Sequence, residues 1–313
     1  MKKVSLAFAI LGMCMFGSIQ VWAAQSNDAL ESATAFLQEI GEDDDYALWK
    51  DADLQYGYEL LGADMETPVG DLYYVEANSQ NAGYMIIDNT NFSILEFSVG
   101  APAYDMYQQE TRDASTVFLY INAMPAVYGN GIYSDIDQSG EIQHSFDVTN
   151  NTLLRYNPNL QGGNCIVGAI SNLMWHWSNN GYSSLASGMT FQGVESEVDA
   201  LIKAEGGYAN NNIPNTIKNY VKGKNSSYSA SVTNKWSPTF SNVKTETASR
   251  PCLLGFAAGS DYSDKEGHMT VCVGTRTASN VNYCKLMDGH NTSVVEKQWG
   301  SYNDFMSKVT LSK

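Results

Sequence analysis

The distribution of charge divides this chain before any pattern of secondary structure is considered. Residues 24–112 carry 18 acidic side chains against two basic ones, Lys50 and Arg112, whereas residues 113–313 carry 16 acids against 14 bases. So one-sided a segment repels itself and folds as a solvated unit distinct from its near-neutral neighbour, which places a boundary near residues 105–150. At 313 residues the chain is long enough for a core in each unit. A net charge of −16 excludes nucleic acid as a main partner, because that affinity rests on Lys and Arg neutralising phosphates.

The N-terminus departs from both units. Lys2 and Lys3 precede the apolar run Val4 to Phe16, and Val21-Trp22-Ala23 puts small residues where a signal peptidase reads. Residues 1–23 are therefore expected to be a secretory signal. The run is short for a membrane span, and Met13 before Cys14 lacks the small side chain of a lipoprotein site, so no stable membrane anchor is expected. The protein is read as secreted. Cys165, Cys252, Cys272 and Cys284 remain after cleavage, without C-x-x-C metal spacing. An exported chain with four cysteines can form two bridges, but the last three sit in apolar runs and are read as core residues.

The acidic unit, 24–112, opens with Ala29, Leu30, Ala33, Phe36, Leu37 and Ile40 at helical spacing. Short β-rich runs follow at 72–76, 84–87 and 93–97, which predicts a small α+β domain of one helix on an antiparallel meander. Residues 113–150 read as a linker. The run Ser134 to Glu141 resembles the start of a calcium loop, but Phe146 stands where its closing Glu is required, so it reads as an exposed turn. In 151–313, helical spacing at 164–177, 194–202 and 213–221 gives way to strands at 251–256, 268–274, 283–288 and 305–311. That order predicts an α+β domain with a cleft between a helical part and an antiparallel sheet.

Cys165 stands at the first turn of the strongest helix, behind Gln161-Gly162-Gly163-Asn164 and ahead of an apolar stripe that begins at Ile166. Unsatisfied amides and the positive end of the helix dipole favour a thiolate there. Such a nucleophile needs a base. His176 lies eleven residues along the same helix, roughly 16 Å away at 1.5 Å per residue, and is excluded. His268, after Gly267 at the start of a strand, is the better candidate over His144 and His290. Asp288, at the end of the next strand, is the expected orienter of His268, with Asn291 as the fallback.

These residues carry a resemblance. Gly-Gly-Asn-Cys165-x-x-x-Ala169-x-x-Asn172-Leu-Met-Trp-His-Trp, with Gly267-His268-x-x-x-x-Val273-Gly274 and Met-Asp288-Gly, resembles the bacterial papain-like cysteine peptidases, the streptopain-type enzymes most closely. Tyr73-Tyr74-Val75-Glu76, Gly83-Tyr84-Met85-Ile86-Ile87 and Ile94-Leu95-Glu96-Phe97 are similar to the pro-domain of streptopain-like zymogens. The resemblance implies a papain-like catalytic domain over 151–313, an activation region over 113–150 and an inhibitory propeptide over 24–112 that covers the cleft. It implies Cys165 as nucleophile, His268 as general base and acid, and Asp288 as orienter. For the oxyanion it implies an amide donor, Gln161 or alternatively Asn159, beside the Cys165 N–H. The family places its Gln six residues before the cysteine, where this chain has Asn159, and its Asn-Trp-Gly run is replaced by Asp-Gly-His-Asn.

The expected activity is that of a secreted cysteine endopeptidase made as a zymogen, acting on protein or peptide substrates, with the propeptide bound in cis and no metal or organic cofactor. Two other readings stay open: a Cys-His amidase or transglutaminase acting on cell-wall peptides, and a catalytically inactive papain-like surface protein that binds a partner.

Overall fold

The computed structural model describes residues 28–105, 116–121, 123–129, 132–135, 142–146, 152–156, 164–257, 267–291 and 293–313. The expected signal at 1–23, both oxyanion candidates, Asn159 and Gln161, and most of the calcium-loop-like run lie outside the described residues.

Helix α1 (28–40) buries Ala29, Ala33, Phe36, Leu37 and Ile40, the predicted apolar face. Strands β1 (Asp53–Leu61), β2 (Pro68–Ala77), β3 (Gln80–Asp88) and β4 (Ile94–Ser98) follow as an antiparallel meander. The β2–β3 turn holds Asn78 and Ser79 at φ of 54° and 61°, the doubly left-handed geometry that matches strand twist. Strands β5 (Val117–Ile121), β6 (Met124–Gly129) and β7 (Ile132–Asp135) then extend the same sheet, β5 lying parallel to β1. The stretch read as a linker is therefore partly sheet. Its signal was period-two burial: Phe118 and Tyr120 enter one apolar cluster, Leu119 and Ile121 another. Strands β8 (Ile142–Phe146) and β9 (Thr152–Tyr156) pair as a separate hairpin.

The second unit begins with α2 (Asn164–Asn179), α3 (Phe191–Ala204) and α4 (Ile213–Lys224). Strand β10 (Ser229–Trp236) and helix α5 (Phe240–Thr247) lead to β11 (Cys252–Phe256), β12 (His268–Ala278), β13 (Val281–Met287), β14 (Val295–Gln298) and β15 (Asn303–Ser312). Ile170, Leu173 and Met174 of α2, with Val198 of α3 and Ile217 of α4, pack on the face of this sheet that carries Leu253, Val271 and Phe305. The opposite face carries Leu254, Leu286 and Met306, against Val243 of α5. Cys252, Cys272 and Cys284 lie on that second face, buried and free, as the apolar runs around them predicted. The whole is a mixed α/β architecture of the α+β kind, with a large mixed sheet.

The two units share that sheet. Strand order is β10-β15-β11-β12-β13-β14-β4-β3-β2-β1-β5-β6-β7, and β14 meets β4 with Lys297 opposite Glu96. The acidity of the first unit finds its complement here. Asp43 pairs with Arg276 at 2.6 Å, Asp45 with Lys285 at 3.3 Å, and Glu96 with Lys297 at 3.0 Å. Glu39 of α1 accepts from the backbone N–H and hydroxyl of Ser279, in the β12–β13 turn, at 2.8 and 2.5 Å. No helix among the described residues is long and apolar enough to cross a membrane.

Candidate active site

Cys165 is half-buried at the first turn of α2, held in place by the apolar face behind it: Ile166, Val167, Ala169 and Ile170 are all buried. His268 is half-buried at the first residue of β12, opposite Phe256 of β11. Helix terminus and strand end thus bring the predicted nucleophile and base to a single cavity of about 350 Å3, whose wall also includes Gly255, Met269 and Tyr208. The cleft between helices and sheet is where the element pattern put it. All of its described lining comes from residue 165 onward, so the described part of the first unit does not line it.

The orienting group differs from the one expected. Nε2 of His268 meets the backbone carbonyl of Asp288 at 2.5 Å, not its carboxylate. A carbonyl only accepts, so Nε2 carries the proton and Nδ1 keeps the lone pair. The carboxylate of Asp288 turns inward instead. Its Oδ1 accepts the N–H groups of His290 and Asn291, each at 3.0 Å, while Oδ2 accepts Asn291 Nδ2 at 2.8 Å and pairs with Lys297 at 3.2 Å. The physical reason is burial: a carboxylate 2% exposed needs donors on both oxygens, and its own turn supplies them. Asp288 therefore acts on His268 at one remove, by fixing the turn that aims its carbonyl.

Asn291, the fallback orienter, is also not on the ring. Its Oδ1 accepts from Tyr84 Oη and from the Ala103 N–H, both at 3.0 Å. Both donors belong to the first unit. A continuous run of hydrogen bonds thus passes from Tyr84 and Ala103 through Asn291 and Asp288 to His268, behind the cleft rather than across it. No local pattern of residues marks this route, because its partners are 188 and 207 residues apart.

Burial first, and then the imidazole of His290 at 4.3 Å between ring centroids, hold His268 below the usual imidazole range. His268 is therefore uncharged at neutral pH. Burial works to raise the Asp288 carboxyl, but Lys297 and the two imidazoles outweigh it and hold it low. Burial likewise opposes the charge on Lys297, which Glu96 and Asp288 restore. His176, buried in α2 at 3% exposure, takes no part in the site. Among the described residues no group of three or more His, Cys, Asp or Glu is placed to hold a metal.

No protein-family model matches the chain, and no curated protein matches it.

Proposed function

We propose that this chain is a secreted cysteine endopeptidase of papain-like architecture, made as a zymogen. The observation that carries the reading is the meeting of Cys165, at a helix N-terminus, with His268, at a strand end, in one cavity. The tautomer fixed by the Asp288 carbonyl leaves Nδ1 of His268 as the base. Nδ1 takes the Cys165 proton as sulfur attacks a peptide carbonyl; the same proton passes to the leaving amine, and the acyl-enzyme forms. Water, deprotonated by the same nitrogen, then releases the acid and restores the thiol.

The zymogen part of the reading is supported by the contacts behind the cleft. The turn whose carbonyl orients the neutral His268 ring is clamped by Tyr84 and Ala103 of the first unit, through Asn291. Removal of that unit frees Asn291 and, through it, the Asp288 turn. An inactive binding protein is the second reading, favoured by the same uncharged ring.

The test is hydrolysis of an unfolded protein substrate by the chain from residue 24 onward, before and after limited proteolysis. Activity that appears only once proteolysis has degraded the first unit, and is absent from Cys165→Ala and His268→Ala, supports the reading. Equal hydrolysis by Cys165→Ala and the parent removes it.

A further inference from the structure

Asp304 stands where two depressions of the surface meet. It lines the cavity of Cys165 and His268, and it also lines a second depression of about 450 Å3 bounded by Pro238, Trp299 and Ser301. A chain bound across Cys165 and leaving along this groove passes the Asp304 carboxylate. With His268 uncharged, Asp304 is the one formally charged side chain among the described residues of the cleft wall. It has no ion-pair partner among the described residues, in contrast to Glu96, Asp288 and Glu296, each of which is matched by a cation. Its backbone is fixed: the Asp304 carbonyl accepts the Ser237 N–H at 2.7 Å, and its neighbours Asn303 and Phe305 are buried in β15.

The cavity wall also carries an aromatic ring, and it too is held in place. Tyr208 follows Gly206 and Gly207, at φ of 109° and 107°, and its hydroxyl donates to Asp199 at 2.6 Å. The turn is closed by Asn212 Nδ2 on the Gly207 carbonyl at 2.7 Å. A rigid aromatic ring with a lone carboxylate in the same cleft suits a long side chain with an apolar stem and a cationic tip.

We propose that Asp304 selects the substrate: a peptide segment bearing a lysine or arginine near the scissile bond, its stem along Tyr208 and its cation on Asp304. This rests on the peptidase reading above. A carboxylate left half-buried without a cation is matched when such a substrate binds, and an acidic substrate side chain is repelled.

The test uses the chain from residue 24 onward, activated with thermolysin that is then quenched by chelation, and peptides identical except for one Lys, Arg, norleucine or Glu scanned along the sequence. Expected is one position at which Lys or Arg raises kcat/KM over norleucine by about tenfold or more. Asp304→Asn collapses that ratio, and Asp304→Lys inverts it toward Glu. A ratio near one at every position in the parent enzyme overturns the proposal even if either variant fails to fold. Covalent labelling of Cys165 by a peptidyl electrophile, run alongside, separates the two failures: labelling without basic selectivity sinks this inference alone, whereas no labelling and no cleavage sinks the peptidase reading with it.

Discussion

At the scale of single residues, the groups that titrate out of range define where acid enters. Burial holds His176 down to about 4 from its ordinary 6.5, and His268 is lowered for the same reason with His290 added. A folded-state pKa below the unfolded one means that the unfolded chain takes up the proton first. Stability is therefore complete above about pH 6.5 and is lost as pH falls from there toward 4, by on the order of 3 kcal/mol for His176 alone. Urea unfolding followed from pH 7 to 4 should show this limb, and His176→Phe should flatten it. Lys297 presents the opposite case, a charge kept by its partners. At 2% exposure it joins Glu96 of β4, Asp288 of the turn between β13 and β14 and the Ala123 carbonyl. Lys297→Met strands two buried carboxylates and should cost about 3–5 kcal/mol, read as a lower urea midpoint.

At the scale of elements, what the sequence revealed depended on whether the signal was local. Helices α1 to α4 and strands β2, β3, β4, β11, β12, β13 and β15 all follow from periodic apolar residues and sit within a few residues of their expected bounds. Strand β10 escaped, because Ser229 to Trp236 is polar, largely exposed and held by its pairing with β15. Strand β14 escaped too; Val295-Glu296-Lys297-Gln298 buries charge whose partners are supplied by β4, β12 and the Asp288 turn. The site divides in the same way. Cys165 and His268 were legible from a helix terminus and a strand start, whereas the Asp288 carbonyl was not, since a backbone acceptor leaves no mark on residue identity. Gly83 is a further element whose reason is tertiary. It lies in β3 at φ +141°, and an added Cβ would fall 2.2 Å from the Ser98 carbonyl of β4 and 2.7 Å from the Trp49 ring. Gly83→Ala should therefore destabilise by ~2 kcal/mol or more, measurable as a fall in Tm.

At the scale of the whole molecule, charge asymmetry separates two segments of sequence but carries no sign of how they meet. They are not tethered beads: β4 and β14 make one sheet, and Arg276, Lys285 and Lys297 receive the acidic residues of the first unit. A single cut within 106–115 therefore leaves the fragments associated and Asn291 still held by Tyr84 and Ala103, so activation requires the first unit to be degraded as well as cut. After such a cut at neutral pH they should co-elute on size exclusion and separate only in denaturant; separation at once in buffer would show that the shared sheet does not hold the units together. The central claim, that Cys165 is a nucleophile served by His268, is tested most directly by a peptidyl thiol-trap electrophile on the proteolytically activated chain, with mass mapping of the adduct. The account predicts one adduct, on Cys165, abolished in Cys165→Ala and strongly slowed in His268→Ala, with buried Cys252, Cys272 and Cys284 unmodified. Absence of an adduct from the folded, activated chain, or equal labelling in His268→Ala, would contradict it.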